Sequence, residues 1–156
     1  MRIRFLWIGD TKNSFYSGLE TAYLERINRF VPSEVSSIPE QKKSDRRTIA
    51  SQLDKENQRI QKRLSNRTFL AVLDQRGQQV TSRGLAEKLN FLMNSGTSEV
   101  TFLVGGHIGL PKETIGRANW QWSLGKLTLP HELARVVVLE QVYRAFSILK
   151  GLPYHR

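Results

Sequence analysis

The stretch Val100-Thr101-Phe102-Leu103-Val104-Gly105-Gly106 decides the fold class of this chain. Its first five residues carry no charge and run directly into two glycines. A similar run, Phe69-Leu70-Ala71-Val72-Leu73, lies some thirty residues earlier and ends at Asp74. Nearly unbroken apolar runs of this length are typical of strands that are covered on both faces, as in a parallel sheet. We therefore predict two buried parallel strands in the second half of the chain.

The segments around these two runs alternate between strand and helix patterns. Alternating residues predict two more strands, at 2–8 and 34–38. Apolar residues at helical spacing predict helices over 15–30, from near Ser44 to Leu64, over 85–92 with Thr81-Ser82 as caps, and after His131. A loop-rich stretch precedes the last helix. This order predicts one three-layer α/β domain, with a mostly parallel sheet, over residues 1–156.

Composition sets the limits for function. Hydrophobic residues at 39% and charged residues at 24% are in the globular range, and 156 residues suit a single domain. The absence of cysteine excludes disulfides and thiolate metal sites. The sequence shows no membrane span and no signal peptide, so we expect a cytoplasmic protein.

The net charge of +10 favours a polyanionic partner, above all a nucleic acid. An exposed basic loop, Lys42–Arg47, adds to this signal. The alternative is that the surplus serves solubility alone.

The turn Gly105-Gly106-His107-Ile108-Gly109 follows a predicted strand directly. Ligands of open α/β sheets bind at the carboxyl ends of the strands, so this turn is a candidate site, although an ordinary tight turn would look the same. His107, His131 and His155 lack the spacing of metal ligands, and we therefore predict no metal.

The last helix is apolar nearly all round, which requires cover on most sides. Either the core of the same chain or a second subunit can supply that cover. The C-terminal Pro153-Tyr154-His155-Arg156 is either a frayed end or part of a site.

Several motifs occur together in the C-terminal half: Leu73-Asp74 with Gly77, Val104-Gly105-Gly106 with Gly109, Leu124 to His131, Glu140 to Ala145, and Tyr154-His155. In this combination the chain resembles the RlmH family of ribosomal large-subunit pseudouridine N3-methyltransferases, within the SPOUT superfamily. Arg83 and His107 differ from the residues typical of that family.

The resemblance implies a trefoil knot in the C-terminal third, a homodimer, and methylation of ribosomal RNA in the assembled ribosome. It implies S-adenosylmethionine as the methyl donor. The implied donor-binding residues are Leu73, Gly105, Gly106, Leu124, Gly125, Lys126, Leu127, Thr128 and Leu129.

Pseudouridine N3 must lose its proton for transfer, and His155 is the first candidate for the base, with Tyr154 beside it. Arg135 and Arg144 are candidates for holding phosphate or a developing anion, although an ion pair with Glu140 is the alternative for Arg144. His131 shares a helix face with Arg135 and is a further candidate.

Two other functional classes compete with this interpretation. One is an RNA-binding module without enzymatic activity, which explains the charge but not the glycine turn, the leucine-rich loop and the Tyr-His tail together. The other is a SPOUT methyltransferase for transfer RNA. We disfavour it because the sequence shows no appended RNA-binding domain.

Overall fold

The computed structural model describes residues 1–40 and 48–155, with residue 155 as backbone only. The predicted basic loop Lys42–Arg47 and residue Arg156 therefore lie outside the described residues. The strands and helices are, in chain order, β1 (Arg2–Ile8), α1 (Ser14–Ile27), β2 (Ser33–Ile38), α2 (Ile49–Arg63), β3 (Thr68–Gln79), α3 (Ser82–Asn94), β4 (Glu99–Val104), α4 (Lys112–Gly116), β5 (Trp120–Ser123) and α5 (His131–Leu149). A short 3₁₀ turn, Pro153–His155, follows α5.

The strands form one sheet in the order β2-β1-β4-β3-β5, and every neighbouring pair is parallel. The apolar run Val100–Val104 lies in β4, and all six residues of that strand are buried. This confirms the predicted mostly parallel sheet, since a strand between two parallel neighbours and two helical layers meets no water on either face.

Helices cover both faces of the sheet, which confirms the three-layer arrangement. Neighbouring strand residues point to opposite faces, so Phe5 and Leu6 enter two different clusters. The first cluster joins the sheet to α1, α3 and α5, and the second joins it to α2 and α4. Phe5 stacks on Phe102 of β4 with ring centroids 5.7 Å apart. Aromatic packing between these two central strands therefore contributes to the first cluster.

The prediction that the third strand ends at Asp74 is wrong, because β3 continues to Gln79. The stretch predicted to be rich in loops also contains α4 and a fifth strand. β5 pairs with β3 across a shift in register between Leu73 and Gln78. Gly77 allows that pairing, since a Cβ there would lie 2.6 Å from the carbonyl of Gln121. Pairing with a distant strand therefore extends β3 beyond its apolar run.

Ser44, near which the sequence predicted the start of α2, lies outside the described residues. Thr48 has extended backbone and its hydroxyl accepts a hydrogen bond from the amide of Ser51, at 3.3 Å, so the helix begins at Ile49. Thr81 caps α3 as predicted, by accepting from the amide of Gly84 at 3.0 Å. Among the described residues, no helix has both the length and the apolar character needed to cross a membrane.

Candidate functional site

A cavity of about 600 Å³ lies at the carboxyl ends of the strands. Three segments line it: the part of β3 around Leu73–Arg76, the glycine turn after β4, and the loop that joins β5 to α5. Because all strands are parallel, their carboxyl ends meet at this single edge, where open α/β sheets bind ligands.

Eight of the nine residues predicted for donor binding line the cavity, and Lys126 does not. These eight are Leu73, Gly105, Gly106, Leu124, Gly125, Leu127, Thr128 and Leu129. The structure adds Trp122 and Leu110, which sequence reasoning missed. Trp122 lies in the strand that was predicted as loop, so only the pairing of β5 with β3 brings its side chain to the cavity.

The glycine turn is tightly folded on itself. A Cβ on Gly105 would lie 2.9 Å from the carbonyl carbon of Gly109 and 3.1 Å from the Leu110 side chain, so no other residue fits without movement. Gly109 has φ +80°, a conformation that side chains disfavour. Glycine at these positions therefore lets the turn fold tightly where it lines the cavity.

Glu40, which follows β2, holds the same turn through His107. Its carboxylate accepts hydrogen bonds from the amide of His107 at 3.2 Å and from Nδ1 of that ring at 2.5 Å. Burial alone would raise the pKa of Glu40, but the hydrogen bonds from His107 outweigh it and the pKa lies below its ordinary value. A Cβ on Gly106 would overlap this carboxylate. His107, which departs from the family pattern, thus anchors the turn.

Polar contacts also connect the other two lining segments. The amide of Gln75 donates to the hydroxyl of Thr128 at 2.9 Å, which joins β3 to the leucine-rich loop. Where that loop leaves β5, the hydroxyl of Ser123 accepts a hydrogen bond of 3.3 Å from the amide of Gly125. The cavity wall is therefore cross-linked between segments that lie about fifty residues apart in the sequence.

His131 and Arg135 have different surroundings, although one turn of α5 separates them. His131 lines the cavity. Arg135 is fully buried, and its guanidinium donates to the carbonyl of Ile8 at 2.7 Å and to the hydroxyl of Thr11 at 2.9 Å. Burial lowers the pKa of Arg135, and Glu20 is the carboxylate that counters this most. Arg135 therefore braces the end of β1 and does not face the cavity.

The C-terminal tail lies against the second half of α5. The Tyr154 ring packs edge-on against Tyr143 with centroids 4.6 Å apart, and its hydroxyl donates to Glu140 at 3.2 Å. Burial raises the pKa of the Tyr154 phenol. Arg144 donates two hydrogen bonds to the same Glu140, at 2.6 and 2.9 Å, and lies over the Tyr154 ring. The ion pair with Glu140, which the sequence offered as the alternative role of Arg144, is therefore present.

One chain does not bring the tail to the cavity. Twelve residues of helix separate His131 from Tyr143, which is about 18 Å along the axis of α5. The predicted catalytic residues therefore fall into two groups, with His131 at the cavity and Arg144 with Tyr154 near the other end of the helix. The side chain of His155 and all of Arg156 lie outside the described residues. Within residues 1–40 and 48–154, no group of three or more potential metal ligands lies together.

The chain is similar to known methyltransferases over its whole length. Residues 1–155 match the family model described as "Predicted SPOUT methyltransferase". Two similar curated proteins are named "Ribosomal RNA large subunit methyltransferase H": one from Streptococcus mutans serotype c, 38% identical, and one from Limosilactobacillus fermentum, 35% identical. Each alignment covers 100% of both chains.

Solved structures show the same fold at low sequence identity. A probable methylase family protein from Haemophilus influenzae Rd KW20 aligns with a TM-score of 0.56 at 15% identity, over 99% of this chain and 70% of that one. A probable methyltransferase from Bordetella pertussis Tohama I aligns with a TM-score of 0.53 at 15% identity, over 92% of this chain and 95% of that one. These similarities concern the fold alone.

Proposed function

This chain belongs to the SPOUT methyltransferase family, and we propose that it transfers a methyl group from S-adenosylmethionine to N3 of a pseudouridine in large-subunit ribosomal RNA. One observation carries the proposal: eight residues that the family resemblance assigns to the donor line a single cavity at the carboxyl edge of the sheet. The full-length similarity to proteins named for methylation of ribosomal RNA supports the choice of substrate.

The cavity fits S-adenosylmethionine in size and chemistry. A volume of about 600 Å³ is within the range of small-molecule sites. Leu73, Leu124 and Leu129 offer apolar surface for an adenine ring, and the Gly105 backbone offers amide and carbonyl groups at close range. When bound, the donor supplies a methyl group that its sulfonium already makes electrophilic, so the protein needs to add placement and proton removal.

The residues of this chain divide that task. His131 lines the cavity and can accept or hold a proton there. Burial raises the pKa of the Tyr154 phenol, so Tyr154 stays protonated, donates to Glu140 and holds the tail rather than acting as a base. This leaves His155, the next residue, as our choice for the base that removes the N3 proton.

We propose that the active unit is a homodimer, in which the tail of one subunit approaches the donor cavity of the other. Two facts support this arrangement. The tail lies about 18 Å along α5 from the cavity of its own chain. In addition, Leu133 and Val137 of α5 are only partly buried in their own chain and form an apolar stripe on one face of the helix. The partly buried charged residues Glu140 and Arg144 continue that face. A second copy would cover that stripe.

We also propose that residues 1–156 form one domain whose C-terminal third is folded into a trefoil knot. The enzyme would act in the cytoplasm, on the assembled ribosome. The meeting of three separate segments around the cavity supports the knot. The net charge of +10 supports a substrate with a dense phosphate backbone.

The test is methyl transfer from radiolabelled S-adenosylmethionine to ribosomes from a strain that lacks its own enzyme for this position. We expect the labelled methyl group in large-subunit RNA, at a pseudouridine identified by mass spectrometry. Transfer RNA offered as the substrate in place of ribosomes should not be labelled. Calorimetry with the donor alone separates the enzyme from a non-catalytic RNA-binding module. Absence of donor binding would favour the module.

A further inference from the structure

A second, smaller cavity of about 370 Å³ adjoins the donor cavity. Its lining consists of Arg76, Lys112, Ile115, Gly116 and Gln121, so it contains two cations and no carboxylate. Arg76 lines both cavities. The Arg76 side chain therefore links the two cavities.

Arg76 is held in one orientation by Asp74. Its backbone amide, Nε and Nη2 all donate to that carboxylate, at 2.8, 3.0 and 2.9 Å. The Asp74 side chain is largely buried, whereas the Arg76 side chain is 76% exposed. Nη1 has no hydrogen-bond partner in the part of the chain that the structure describes. The guanidinium is thus fixed on one edge and free to donate on the other, as in sites that recognise phosphate.

Lys112 supplies a second cation without a neutralising partner. It is exposed, and it makes no ion pair with any residue in the ranges 1–40 and 48–154. The neighbouring carboxylate, Glu113, is turned to α2, where it accepts a hydrogen bond of 2.5 Å from Asn57. The amide of Gln121, across the cavity, donates to the carbonyl of Ile115 at 3.4 Å. The free charge in this cavity is therefore positive.

We infer that the second cavity binds a backbone phosphate of the RNA whose base enters the donor cavity. The inference rests on the proposed function and names residues that position its substrate. Phosphate oxygens accept from Arg76 Nη1 and from Lys112 Nζ, and such contacts fix the register of a nucleic acid without reading its sequence. The shared Arg76 sets the position of this phosphate relative to the methylated base.

The test compares two pairs of variants. Lys112→Gln and Arg76→Gln remove the proposed contacts, while Lys62→Gln and Arg67→Gln remove the same charges near the amino-terminal edge of the sheet. Binding to purified ribosomes is measured directly over a range of salt concentrations, and KM, kcat and donor affinity are measured in parallel. We use Lys112→Gln as the primary variant, since Lys112 lines the second cavity only.

For Lys112→Gln we expect about fivefold weaker ribosome binding at low salt, a matching rise in KM, and unchanged kcat and donor affinity. The slope of log K against log salt should fall by about 0.7 to 0.9, as for one lost phosphate contact. Arg76→Gln should lower the slope similarly, and the two control variants should change it less.

Equal slopes for Lys112→Gln, Arg76→Gln and the wild type would overturn the phosphate site, even if methylation proceeds as proposed. An equal decrease of the salt slope in all four variants would also overturn the phosphate site, because the decrease would then reflect net charge alone. Failure of the wild type to methylate ribosomes would instead overturn the proposed function. The binding slopes judge the phosphate site in either case.

Discussion

The guanidinium of Arg135 donates a hydrogen bond of 2.7 Å to the carbonyl oxygen of Ile8. This contact ties the first turns of α5 to the last residue of β1, 127 residues earlier in the chain. The same guanidinium reaches Thr11, whose hydroxyl donates to Glu20 at 2.6 Å. A buried cation therefore fixes the helix that carries His131 relative to the edge of the sheet.

Replacing Arg135 by Met should lower the free energy of unfolding by about 3 kcal/mol, because it leaves the Ile8 carbonyl and the buried Glu20 without their cation. Arg144→Met is the matched control, since it removes a half-exposed i,i+4 pair worth less than about 1 kcal/mol. Urea denaturation at fixed protein concentration measures both. Equal losses would contradict the bracing role of Arg135.

Gly105→Val should raise the Kd for S-adenosylmethionine at least about tenfold, because a Cβ there meets the Gly109 carbonyl and pushes the turn into the cavity. Calorimetry measures the effect. Gly18→Ala is the control, since its Cβ would meet nothing within 4 Å on α1. Normal donor binding by Gly105→Val would show that the donor site is misassigned.

Val137→Asp should yield a folded monomer, since this half-exposed side chain lies on the stripe that a second subunit would cover. Leu139→Asp should instead unfold the protein, because Leu139 is completely buried in the core of its own chain. Analytical ultracentrifugation and circular dichroism distinguish these results. An unchanged oligomeric state in Val137→Asp would argue against the proposed dimer surface.

His155→Ala should lower methyl transfer to ribosomes by about a hundredfold or more, with donor binding unchanged, as expected for loss of a general base. The residual rate should rise with pH as N3 ionises without help. Tyr154→Phe keeps the ring on Tyr143 and should cost far less. A full rate in His155→Ala would move the proton-transfer role to His131, which lines the cavity.

Glu40→Gln should destabilise the protein at neutral pH by less than about 1 kcal/mol, since both partners of the Glu40–His107 pair are partly exposed. The pKa of folded Glu40 lies below its ordinary value of 4.5, so the stabilisation is present above that value and lost as the pH falls through the folded pKa. Urea midpoints of both proteins between pH 7 and pH 3 should therefore converge. A constant gap would exclude the carboxylate as its source.

Sequence patterns predicted much of the fold because the signals are local. Strands β1 to β4 and their helices follow from alternation, apolar runs and helical spacing, and the cap at Thr81 follows from its residue type. The glycine turn was placed correctly at the carboxyl edge, since a parallel sheet gathers its strand ends on one side. Eight of the nine predicted donor-site residues consequently line one cavity.

Helix α2 shows where the local signal fails. The apolar Ile49 at its start is 62% exposed, while the polar Gln52, Glu56 and Asn57 are buried. Asn57 accepts a hydrogen bond of 2.8 Å from Thr114 of α4, a partner 57 residues away. The spacing of apolar residues predicts which face of a helix is buried only when that face is apolar. It therefore does not predict the buried face of a helix that packs through polar contacts.

The sequence by itself determined the fold class, the family resemblance and the candidate site at the glycine turn, because residue type and spacing carry that information. Only the tertiary structure decided the extent of β3, the existence of β5, and the separate roles of Arg135 and Arg144. Both arginines are on one helix, yet one is buried against Ile8 and the other pairs with Glu140. Their roles depend on which distant groups the fold brings within hydrogen-bonding distance, and no local pattern encodes that.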